Sequence, residues 1–139
     1  MALEIWYDQE PENDFGPGDP AIVIAEVEDL DAFVDRVLRE SAGHVVPPMI
    51  QVSVAGHPEL GVLEAGLGPE RGFVNLLSGD GGISSGDPSR GGLVLYGYMG
   101  TTSEVDATAE IPLEAVRQGL REFLVGDGRK PESLRWQDA

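Results

Sequence analysis

The chain has 139 residues, 41% of them hydrophobic, and its 25 acids against 9 bases give a formal net charge of −16. That length suits one domain able to bury a core unaided, and the absence of cysteine excludes disulfides and thiolate metal sites. A surface so acidic repels nucleic acid and anionic membranes and favours encounter with a basic partner, although acidity also serves solubility alone.

Leu3-Glu4-Ile5-Trp6-Tyr7 reads as an opening strand, and residues 8–20 as a loop crowded with acids, Pro and Gly. The first 31 residues carry ten acids and neither Lys nor Arg, which argues against an export signal and for a cytoplasmic location. Residues 21–27 resume a β-branched run that Pro20 weakens at its start. Leu30, Phe33, Val34, Val37 and Leu38 then recur at helical spacing, with Asp29 or Asp31 as N-terminal carboxylate and Gly43 as stop.

The stretch 49–77 organises the rest. Three short apolar runs, 49–54, 60–67 and 73–77, are separated by Gly/Pro punctuation and predict an antiparallel meander. Ile50, Val52 and Val54 share one face of the first run; Leu63, Ala65 and Leu67 are the inward parity of the second. Residues 78–92 form a long Gly-rich connection, and Leu93-Val94-Leu95-Tyr96-Gly97-Tyr98-Met99 is expected to continue the sheet. Residues 100–109 are polar and acidic. A second helix starts around Ile111-Pro112-Leu113, buries Leu113, Val116, Leu120, Phe123 and Leu124, and ends at Gly126 and Gly128. Trp136 anchors a short final strand. The expected architecture is one α+β domain over residues 1–139, a mainly antiparallel sheet of five to six strands with two helices on one face.

No constellation for catalysis emerges. Gly66-x-Gly68-x-x-x-Gly72 lacks the spacing and the following helix of a phosphate-binding loop. Asp80 and Asp87 lack the ligand periodicity of a calcium loop, and His44 and His57 sit at turns outside any metal motif. No cofactor or metal is called for. Tyr96 and Tyr98 share a strand face and read either as half-buried sheet residues or as interface anchors. A small enzyme or ligand-binding domain with a site around His57, Glu64 and Tyr96 is the alternative to a binding protein.

Taken in order, Tyr96-Gly97-Tyr98-Met99-Gly100, Glu110-Ile111-Pro112-Leu113-Glu114, Glu122-Phe123-Leu124 and Gly128-Arg129-Lys130-Pro131 with Leu134-Arg135-Trp136 resemble the second half of immunity proteins of the Imm-one type from bacterial polymorphic toxin systems. Val46-Pro47-Pro48, Leu67-Gly68 and Arg71-Gly72-Phe73 are similar to its actinobacterial members. The resemblance implies a non-enzymatic antitoxin that blocks a cognate secreted toxin, commonly a nucleic-acid cytidine deaminase. Its motifs are structural and transfer no interface residues. The charge pattern nominates Asp80, Asp87, Glu104 and Asp106, with Tyr98, as the surface that meets a basic toxin. Nucleic acid and membrane are not expected partners.

Overall fold

A computed structural model describes residues 1–7, 21–79, 81–98 and 101–139. The expected loop at 8–20, together with Asp80, Met99 and Gly100, lies outside the described residues. The elements are β1 (Leu3–Trp6), β2 (Ile22–Ile24), α1 (Val27–Glu40), β3 (Met49–Val54), β4 (Val62–Leu67), β5 (Arg71–Leu76), β6 (Gly82–Ser84), β7 (Leu93–Tyr98), β8 (Thr101–Asp106), β9 (Ile111–Pro112), α2 (Leu113–Val125) and β10 (Trp136–Gln137).

The meander forms as expected, because β3, β4 and β5 pair antiparallel in sequence order within a sheet running β10-β6-β5-β4-β3-β1-β2. Alternation along β3 and β4 sends Ile50, Val52, Val54, Leu63, Ala65 and Leu67 to the helix side, where each is fully buried. Val116, Leu120 and Phe123 of α2 and Leu30, Val34 and Val37 of α1 close that layer. Each such side chain contributes roughly 1.5–3 kcal/mol by leaving water.

The helix starts differ slightly from expectation. Extended Glu26 caps α1 without a side-chain bond, so Glu28 and Asp29 stand in the first turn and act on the helix dipole. Pro112 caps α2, where its missing N–H costs nothing. The two helices are tied by Arg121 to Asp31 at 2.9 Å and by Arg117 to Asp35, and within α2 Glu114 holds Arg121 at 3.2 Å.

Two expectations are corrected. The run at 93–98 does not extend the sheet. It pairs with β8 as a separate two-stranded hairpin, in the register Leu93 with Asp106 through Tyr98 with Thr101. The sheet continues instead through β6, three residues inside the supposed loop, flanked by β5 and β10. Gly82-Ile83-Ser84 is too short and too poor in apolar residues to announce itself. Neighbouring strands and the Ser84 hydroxyl, which accepts from Val74 N–H (3.1 Å) and donates to Ala109 O (2.6 Å), define it.

The hairpin covers the sheet face opposite the helices. A second core of Met49, Phe73, Tyr96, Val105 and Ala109 forms there. Phe73 and Tyr96 meet edge to face at 4.9 Å between centroids. Their approach explains Gly66, since a Cβ there would lie 2.6 Å from Tyr96 Cε1. The glycines that grazed a phosphate-loop pattern therefore serve close packing between strands.

Candidate functional site

β7 alternates between two environments. Tyr96 points to the sheet and is 1% exposed, while Leu93 and Leu95, 58% and 45% exposed, face away from it. Across the strand pair, Leu93 stands opposite Asp106 and Leu95 opposite Glu104. The outer face thus sets two exposed leucines beside two exposed carboxylates, an apolar centre with a charged border of the kind that binds proteins.

A buried polar cluster anchors the hairpin. Glu110 accepts a 2.6 Å hydrogen bond from the Tyr96 hydroxyl and a 2.8 Å charge-assisted bond from Arg90. Gly97 N–H donates to Pro47 O at 2.9 Å, and Ala107 N–H to Gly92 O at 3.0 Å. Burial, and then the hydrogen bond it donates to the Glu110 carboxylate, push the Tyr96 hydroxyl well above the usual tyrosine pKa. The folded state therefore holds this proton after the unfolded chain has released it. Stability from Tyr96 is complete below about pH 10 and declines as the pH rises further. Wild type should lose more unfolding free energy than Tyr96→Phe between pH 9 and the alkaline end of a urea titration series; parallel pH profiles would refute the coupling.

Beneath β8 lies a cleft of about 460 Å³ with Phe73, Met49 and Ile83 as apolar floor. Glu64, Glu104, Asp106 and Asp138 line it, with no Lys, Arg or His among the lining residues. Asn75 stands opposite Glu64 in the β4–β5 ladder and donates to it at 3.3 Å, leaving its buried Oδ1 without a hydrogen-bond partner among the described residues. A comparable depression of about 440 Å³ on the helix side is lined by both signs, Arg121, Arg129 and Lys130 against Glu122 and Glu132. Uncompensated negative charge gathers on the hairpin side.

The nominated residues separate accordingly. Glu104 and Asp106 border the cleft together, and Glu64 from the alternative reading joins them. Tyr98, half-buried, packs against the second core from the hairpin's inner face. Asp87 is exposed and engaged locally, accepting from the Ser89 hydroxyl at 2.7 Å and the Ser89 N–H at 2.9 Å; these bonds hold its carboxyl below the usual carboxylate range. Asp80 lies outside the described residues. His57, exposed and 3.1 Å from Glu59, and buried Tyr96 are not among the cleft-lining residues. The three residues of the enzymatic alternative are thus not gathered in one depression. Among the described residues no three His, Asp or Glu form a metal-sized group, and no helix is long and apolar enough to cross a membrane.

Sequence reasoning missed Asn75, Arg90, Glu110 and Asp138. Only β8 carried a usable signal: Thr101, Ser103 and Val105 alternate with Thr102, Glu104 and Asp106, a period of two that begins just after Gly100 in the sequence. In comparisons with known proteins, the family model described as Immunity protein Imm1 matches residues 18–138. No curated protein matches the chain.

Proposed function

The chain belongs to the Imm1 immunity protein family, and on that premise we propose that it neutralises a cognate toxin domain by binding it with the acidic hairpin side of the molecule. The family supplies the immunity role. One observation supports the place: a cleft bordered by four carboxylates and no base, under a hairpin whose outer face carries two exposed leucines.

The toxin in this reading acts on nucleic acid in the cytoplasm, and a cytidine deaminase is the chemistry that the family resemblance implies. Enzymes of that kind hold a phosphate backbone in a basic groove. A carboxylate surface competes with phosphate for the same Lys and Arg side chains, and opposite fields bring association to on the order of 10⁸ M⁻¹s⁻¹ at low salt. The chain itself performs no chemistry; it acts by occupying the groove.

Co-expression with the toxin domain encoded beside it supplies the test. Rescue of host growth together with a stoichiometric complex on co-purification is the expected result. Rescue with no complex would sink the binding reading and favour an enzymatic or indirect protection.

A further inference from the structure

The two edges of the hairpin differ. Ala107 N–H bonds Gly92 O, so 92 with 107 is a mutually bonded pair, and antiparallel alternation makes 94 with 105 and 96 with 103 bonded pairs too. The N–H and C=O groups of the intervening residues therefore point away from the partner strand. On β7 this is visible at Gly97, whose N–H turns outward to Pro47 O and which bridges Pro48. On β8 the outward residues are Thr102, Glu104 and Asp106, and β8 has no second strand partner among the described residues.

We propose that β8 is a docking edge on which an extended basic segment of the toxin adds as a third strand. Three observations converge on that occupant. The edge offers outward backbone donors and acceptors on a β-prone run, Thr101-Thr102-Ser103-Glu104-Val105-Asp106, that holds no proline or lysine to blunt it. The acidic cleft runs alongside, with Ser103, Glu104, Val105 and Asp106 forming one wall. Asn75 Oδ1 offers a buried acceptor without a partner in the same cleft.

An added strand directs alternate side chains to opposite faces. One set passes over the cleft, where Arg or Lys meets Glu64 and Asp138 and its methylene stem lies on Phe73. The other set meets the outer carboxylates of Glu104 and Asp106. Those same carboxylates oppose pairing of two copies of this chain edge to edge, because like charges then face each other. Such an edge is closed to self-association and open to a cationic strand.

This inference rests on the toxin-binding reading, and amide hydrogen exchange of the full chain, free and in complex with its neighbouring toxin domain, separates the two. In the free chain Thr102, Glu104 and Asp106 exchange fast while Ser103 and Val105 are protected. In the complex the three outward amides should slow by about a hundredfold. Thr102→Pro removes one outward donor, alters no charge and leaves the β7 bonds in place; it should weaken toxin binding by about tenfold, as loss of roughly 1.4 kcal/mol of edge hydrogen bonding implies. Glu104→Pro should weaken binding more than Glu104→Gln. A complex in which the three amides exchange as in the free chain, or a folded Thr102→Pro protein of unchanged affinity, overturns the docking edge and leaves toxin binding standing. Absence of any complex removes the toxin-binding reading and the edge with it.

Discussion

Glu110→Ala is expected to lower the unfolding free energy by about 3 kcal/mol, equivalent to roughly 10 °C in melting temperature for a chain of this size. The carboxylate is the acceptor for the hydroxyl of Tyr96, itself 1% exposed, and for Arg90. Alanine leaves a buried donor unpaired and a cation without its counter-charge. Removing one member of a fully buried pair costs about 3–5 kcal/mol, and the lower figure applies because the Arg90 side chain remains 32% exposed. Glu110→Gln keeps one acceptor oxygen, for Arg90, and puts its amide NH2 where the Tyr96 hydroxyl can turn to accept from it, so it should cost about half as much.

The damage should also be local before it is global. The bonds from Tyr96 to Glu110 and from Gly97 to Pro47 tie the hairpin to the body, whereas the helix-side core involves neither of them. Exchange at Val94 and Tyr96 should rise at denaturant concentrations where Val52 and Leu63 remain protected. Urea unfolding with residue-resolved exchange reads both effects. A single transition at the wild-type midpoint would mean that the cluster carries no stability.

What the sequence made legible follows from how locally each feature is encoded. The helix-side core was readable because Ile50, Val52 and Val54, and Leu30, Phe33, Val34 and Val37, repeat at the period of their own element. The second core was not. It gathers Met49, Phe73, Tyr96, Val105 and Ala109 from four strands and a 3-10 turn, one residue from each, and no single window shows a pattern.

The same reasoning applies to the site. Glu104 and Asp106 were nominated for charge alone, and the fold places them on a strand beside a cleft rather than in a solvated loop. Charge could not have distinguished them from Asp87, whose carboxylate is turned back on its own chain by Ser89. Asn75 becomes informative only when β4 and β5 pair, since that register brings Glu64 to its amide and leaves its oxygen bare. Glu110 reads in sequence as one more acid before a helix, and its role depends on two residues fourteen and twenty positions away.

Replacing Glu64, Glu104 and Asp106 together by Gln, Gln and Asn is expected to slow association with the toxin by about 10–100-fold at low ionic strength, with the gap closing as salt is raised. None of the three takes part in an ion pair among the described residues, and glutamine at 64 retains an acceptor for Asn75, so stability should stay within about 0.5 kcal/mol of wild type. The decisive comparison is a second triple, Asp31→Asn, Asp35→Asn and Glu114→Gln, which removes the same formal charge from the helix side. Those acids are paired with Arg117 and Arg121, so their loss disturbs the helix pair while leaving the hairpin untouched. Beyond one Debye length, about 10 Å at 0.1 M salt, the two triples present nearly the same net charge to an approaching partner. Any difference in association rate near physiological salt therefore reports where the toxin lands. Stopped-flow association over a salt series should show the hairpin triple slowed and the helix triple close to wild type. Equal slowing would reduce the effect to net charge and withdraw the hairpin as the contact, and no slowing in either would end the electrostatic account of recognition.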